Sequence, residues 1–167
     1  MGMLCLGKII EGLEIKNIIF DSNGLSMYFG SAKKGINNKT SNHTIVYAPG
    51  DKYEESILND LNIHHCKFLS NGTIVDISDG GGDHILIINP CTSNRVWIED
   101  NEFYDWGRWV YSVDLGGNGE RFYDYKFNRN ICIQTDNNHL FSGAYRGLGW
   151  IDFEARKCFT DLEVCGN

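Results

Sequence analysis

An all-β solenoid is the fold class this sequence predicts, and three observations predict it. A short phrase recurs along the chain, it alternates with period two, and turn-forming residues rather than helical stripes separate its copies. The phrase joins two alternating apolar residues, a polar or small residue, and a buried-type residue three further on. It reads Leu13-Glu-Ile15-Lys-Asn17-Ile-Ile-Phe20, then Leu61-Asn-Ile63-His-His65-Cys-Lys-Phe68, then Val96-Trp-Ile98-Glu-Asp100-Asn-Glu-Phe103. Two looser copies follow, Tyr125-Lys-Phe127-Asn-Arg129-Asn-Ile-Cys132 and Ile151-Asp-Phe153-Glu-Ala155-Arg-Lys-Cys158. Alternation of this kind is strand-like, because successive side chains of a strand leave opposite faces. Self-similarity marks a repeat architecture, in which each unit buries its apolar edge by stacking on the next. The copies start at residues 13, 61, 96, 125 and 151, so the insertions between them are loops.

Further strand candidates lie between the phrases: Thr44–Tyr47, Thr73–Ile77, His84–Ile88, Trp109–Val113 and His139–Phe141. Two or three short strands per unit fit one coil per about 25 to 35 residues once loops are counted. The polar stretch from Gly30 to Asn42 is the main predicted excursion, and Gly80 to Asp83 a second. Cys132 and Cys158 take the slot that Phe20, Phe68 and Phe103 fill in the other copies. They read as buried thiols acting as small apolar residues, with a disulfide between neighbouring coils as the alternative.

Composition agrees with many short strands and tight turns. Among 167 residues there are 19 glycines and only 2 prolines, and Gly, Asn and Asp tolerate positive φ at low cost. The length suits one domain, residues 1–167, with a core of its own. A net charge of −7 argues against a nucleic-acid partner, which needs a basic face. The 6 cysteines show neither a CxxC pair nor zinc-ligand spacing, and no metal ligand set is predicted. No signal peptide is evident at the start, and no stretch reaches the roughly 20 apolar residues of a membrane span.

The phrase Leu-x-Ile-x-Asn-x-x-Phe, followed at Asp21 by Asp-Ser-Asn-Gly, resembles the coils of right-handed, single-stranded parallel β-helix proteins of the pectate-lyase-like kind. Among these it is most similar to the shafts of bacteriophage tailspikes and tail appendages. In that family Asn residues stack at the turn after the second strand, and Asn17, Asn101 and Asn130 are expected there. His65 and Ala155 then stand where the polar turn residue is missing. The resemblance implies a virion or extracellular setting, host attachment through a bacterial surface polysaccharide, and a homotrimer. Both ends read as unfinished coils, so a piece of a longer protein, or ends covered by partners, is expected.

Stacking the five phrases gives two outward columns, Glu14, Asn62, Trp97, Lys126, Asp152 and Lys16, His64, Glu99, Asn128, Glu154. With coils about 4.8 Å apart and alternate residues of a strand about 6.6 Å apart, Asp152 and Glu154 are expected about 6 to 7 Å apart, and Glu99 about 10 Å from Glu154 across Asn128. Carboxylates spaced about 6.5 to 9.5 Å suit an inverting glycosidase, and Trp97 offers a face for a sugar ring. The competing reading is a solvated face, since outward strand positions are ordinarily polar.

A second pair is Asp79 and Asp114, each eleven residues after its Phe68 or Phe103 and each followed by a glycine loop. Stacked about 5 Å apart, they resist joint ionisation, so one of the two takes up a proton more readily. Such a pair suits acid–base work, a retaining hydrolase, or Ca²⁺ held through oxygen ligands; a structural Asp ladder is the alternative. Arg108 and Arg121 lie near in sequence and, with Lys126, are candidates to neutralise an acidic sugar. No cofactor other than that Ca²⁺ is implied. The candidate catalytic residues are therefore Asp79, Asp114, Glu99 and Glu154, and the candidate substrate-binding residues Trp97, Arg108, Lys126 and Arg121. Three functions are open: a tailspike that binds or cleaves a surface glycan by hydrolysis or elimination, an inert shaft or assembly module, and a cellular polysaccharide lyase or epimerase.

Overall fold

The computed structural model describes residues 4–21, 44–47, 56–69, 84–88, 92–104, 106, 109–115, 122–133, 149–155 and 159–167. Every regular element among them is a strand, and there is no helix. In chain order they are β1 (Leu4–Leu6), β2 (Ile9–Lys16), β3 (Ile19–Asp21), β4 (Ile45–Tyr47), β5 (Ile57–His64), β6 (Lys67–Leu69) and β7 (Ile85–Ile88). There follow β8 (Thr92–Glu99), β9 (Glu102–Tyr104), β10 (Trp109–Leu115), β11 (Phe122–Asn128), β12 (Ile131–Ile133), β13 (Gly149–Ala155) and β14 (Phe159–Cys165).

Each strand pairs in parallel with the strand three places along the chain. The first sheet runs β1-β4-β7-β10-β13, the second β2-β5-β8-β11-β14 and the third β3-β6-β9-β12. Each lap of the chain thus lays one strand on each sheet, an all-β pattern compatible with a β-helix or solenoid. Parallel strands cannot be joined by tight hairpins, and here the chain visits the other two sheets before it returns.

Register explains the phrase. Leu13, Leu61, Val96, Tyr125 and Leu162 form one column of the second sheet, and Ile15, Ile63, Ile98, Phe127 and Val164 the next. From Leu61 to Phe127 these positions are fully buried. On the third sheet Phe20, Phe68 and Phe103 stack ring on ring, with centroids 4.8 and 4.5 Å apart. Cys132 continues that column beside Phe103, as the repeat predicts. Cys66, Cys132 and Cys165 are free thiols, while Cys158 lies outside the described residues. Of the further strand candidates, 44–47, 84–88 and 109–113 lie on the first sheet, and 73–77 and 139–141 fall outside the described residues.

Two expectations are corrected. The fifth copy of the phrase is not Ile151–Ala155, which lies on the first sheet with Ile151 beside Tyr111. It is Leu162-Glu-Val164-Cys-Gly-Asn167, on β14 beside β11. Any half-buried strand alternates, so period two alone admitted the wrong segment. The better signature is backbone shape. Gly12, Asp60, Arg95, Asp124 and Asp161, each just before its phrase, all have positive φ, and so do Asn17, His65, Asp100, Arg129 and Gly166 just after the second strand.

The Asn ladder includes the expected Asn101 and Asn130, but Asn17 is not part of it. Asn17 occupies the left-handed position, so it stacks with His65, Asp100 and Arg129 rather than with Asn101. The ladder itself is Asn101, Asn130 and Asn167. Asn130 Oδ1 accepts the Asn101 N–H at 3.0 Å, and its Nδ2 donates to the Ile98 carbonyl at 2.9 Å. Asn167 repeats this toward Asn130 (2.8 Å) and Phe127 (2.8 Å), and Asn101 toward Cys66 (2.9 Å) and Ile63 (2.9 Å). Cys66 and Ile18, not His65, stand where the amide is missing.

Candidate functional site

Where the inward columns of the second sheet are apolar, the residues between them form an outer face of Asn, Trp, Lys and carboxylates. The column through the centre is Glu14, Asn62, Trp97, Lys126 and Glu163. Glu163 takes the place expected for Asp152, which pairs with Ser112 on the first sheet. Ahead of the left-handed bend runs a second column, Glu11, Asn59, Asn94, Tyr123 and Thr160. Strand alternation puts Trp97 on this face, between the buried Val96 and Ile98.

Trp97 and Lys126 are brought together as register neighbours, the Lys126 Nζ lying 4.6 Å from the centre of the indole. The same ammonium is 3.8 Å from Asp124 and 4.0 Å from Glu163. Its charge is therefore already balanced by the ring quadrupole and two carboxylates. Three polar atoms of this face, Asn59 Oδ1, Asn62 Oδ1 and Trp97 Nε1, are shielded from solvent and make no hydrogen bond. Buried polar atoms nearly always have partners, and an unmade bond costs about 1–3 kcal/mol. Asn62 is the register neighbour of Trp97, so an unpaired acceptor and an unpaired donor lie in adjacent laps of one column.

The edge of the face is held by ion pairs. Arg129 clasps Asp100 through two hydrogen bonds of 2.8 Å, and Arg95 clasps Asp60 in the same forked manner. Arg129 holds the Asp100 carboxyl below its ordinary range, and Arg95 does the same for Asp60. These carboxylates are consumed in structure. Glu99 accepts from Asn128 Nδ2 at 3.3 Å and lies 3.6 Å from Arg129. Its register neighbours are His64 and Asn128, so no second carboxylate stands next to it in its column.

The other expected site residues are placed as follows. Glu154 is not in the column of Glu99: it pairs in register with Asp114 on the first sheet. Asp114 has Ile88 as its neighbour on the other side, so that ladder position does not belong to Asp79. Asp79, Arg108 and Arg121 lie outside the described residues. Asn59 and Asn62 are functional candidates that sequence reasoning missed. The signal for Asn62 was its place directly before Trp97 in the column; nothing local marks Asn59. Among the described residues no group of three or more His, Cys, Asp or Glu side chains could hold a metal. No family model, no curated protein and no solved structure matches the chain.

Proposed function

We propose that the protein is a right-handed parallel β-helix of the tailspike kind, whose second-sheet outer face binds a polysaccharide of a bacterial surface. In this reading it acts at the virion or outside the cell, as a homotrimer, in host attachment. The observation that carries the reading is the outward Trp97 flanked in its column by Asn62 and Lys126, an indole with an amide on one side and an ammonium on the other. Sugar sites combine a flat apolar surface with a few fixed polar groups, and this face has that composition. Because Lys126 is spoken for by Asp124 and Glu163, the favoured ligand is a neutral glycan rather than an acidic one.

The test is a titration of bacterial surface polysaccharides, followed by tryptophan fluorescence and calorimetry. Trp97→Ala is expected to weaken binding at least about tenfold, or about 1.4 kcal/mol. Asn62→Ala should weaken it less. Equal binding of every polymer by wild type and Trp97→Ala would sink the reading and leave an inert shaft.

A second reading, glycan cleavage, is favoured by one observation: Asp114 and Glu154 are register partners, which puts their backbones about 4.8 Å apart. A retaining hydrolase places its two carboxyl groups about 5–5.5 Å apart. Product release from a polymer, lost in Asp114→Asn and in Glu154→Gln with the fold intact, supports that reading. An ultraviolet-absorbing unsaturated product would point to a lyase instead.

A further inference from the structure

Consecutive side chains of a strand leave opposite faces, yet His64 and His65 point at each other. His64 ends β5, and His65 has a left-handed backbone with φ 53°. The bend turns the second ring back beside the first, edge to face, with centroids 5.0 Å apart. Their Nδ1 atoms are only 2.7 Å apart. At that distance two imidazole nitrogens share one proton, one donating and the other presenting a lone pair.

Glu14 decides which is which. Its Oε1 lies 3.0 Å from His64 Nε2, and a carboxylate only accepts. The proton of a neutral His64 is therefore on Nε2, and its Nδ1 lone pair faces His65. Glu14 is itself anchored by Lys16 at 2.8 Å. Moving the His65 proton from Nδ1 to Nε2 turns a second lone pair to the same point.

We propose that His64 and His65 form a two-imidazole chelate for a divalent transition-metal ion, with Glu14 as the positioning residue. A carboxylate on the far nitrogen of a ligating histidine fixes the tautomer and raises ligand basicity. Metal–nitrogen bonds of about 2.0–2.1 Å put cis ligands about 2.9 Å apart at a right angle and about 3.3 Å apart in a tetrahedron. The 2.7 Å hydrogen-bonding contact opens by a few tenths of an ångström when an ion replaces the shared proton, and two imidazoles suit Cu²⁺ and Ni²⁺, which stand high in the affinity order. With two protein ligands, the remaining positions are open to water or to an oxygen donor from outside. The site is independent of glycan binding at Trp97.

Ni²⁺ added to the reduced protein tests this by calorimetry and by amide NMR. Saturable uptake of one ion per chain is expected, with paramagnetic broadening centred on residues 64 and 65. His65→Asn, which keeps a residue suited to the left-handed bend, and His64→Gln should both abolish that uptake. Glu14→Gln should weaken it about tenfold or more. Absence of saturable uptake, broadening centred elsewhere, or unchanged uptake in either folded histidine variant overturns the proposal.

Discussion

The corner after the second sheet is built in two ways along one molecule. In the later laps the rung is an amide: Asn101, Asn130 and Asn167 each join an N–H and a carbonyl of the lap before. In the second lap it is a thiol. Cys66 Sγ has two acceptors for its single proton, the His64 carbonyl at 3.3 Å and the Ile15 carbonyl of the lap before at 3.6 Å, and the backbone N–H groups of Ile18 and Asn17 point toward it. The topology of the bond is the same with a softer atom, which is both a weaker donor and a weaker acceptor. In the first lap Ile18 stands at this position, well exposed. The corner therefore grades from firm to weak, and the same left-handed bend forms over an amide, a thiol and, at Ile18, an apolar side chain that serves no backbone group.

The comparison can be broken most severely at its firm end. Asn130→Ala strands the buried Asn101 N–H and the Ile98 carbonyl, and should cost about 3 kcal/mol in denaturant unfolding. Cys66→Ala removes the softer rung and should cost about 1 kcal/mol, measured the same way. A cost for Cys66→Ala equal to that for Asn130→Ala would remove the distinction. Cys66→Asn extends the amide ladder by one lap and should raise stability by up to about 1 kcal/mol, provided the side chain adopts the rotamer of Asn101.

Alkali sharpens the same contrast. Burial pushes the Cys66 thiol above its ordinary range and the Cys132 thiol up to about 12. The folded values are raised, so the stability these thiols contribute is present below their ordinary value and lost as pH climbs toward the folded value. Stability should fall between about pH 9 and pH 12, and fall less steeply in Cys66→Asn; unfolding curves at about pH 8 and pH 10.5 check this. The smallest effect belongs to the surface. Arg129→Gln breaks the fork to Asp100, yet an exposed pair of this kind should leave the melting temperature almost unchanged at physiological salt.

Much of the fold was legible because burial repeats. Phe20, Phe68, Phe103 and Cys132 share a column, and four of five phrases fall in register. The fifth misled because Ile151-Asp-Phe153 alternates as well as Leu162-Glu-Val164 does, and hydrophobic period carries no information about which sheet a strand joins. Gly166 and Asn167 would have resolved it, as a left-handed residue followed by a ladder amide. Asn17 was misassigned to the ladder for a related reason: Asn suits both the left-handed position and the rung, and Asn17 and Asn101 take different ones. On the candidate face, Trp97 and Lys126 were legible from alternation alone. That Lys126 is engaged by Asp124 and Glu163 was not, because it depends on the left-handed bend that brings Asp124 round. Asp114 and Glu154 were each singled out, but their pairing needed the correct register.

The equivalent positions Leu13, Leu61, Val96, Tyr125 and Leu162 are unequally spaced, while the parallel pairing that joins them continues through every lap. Pitch is thus independent of how much polypeptide each circuit spends between its gripped stretches. A foreign peptide spliced after Asp21 or Leu69 should therefore be carried outward without disturbing the circuits on either side, which makes the molecule a natural frame for displaying grafted epitopes.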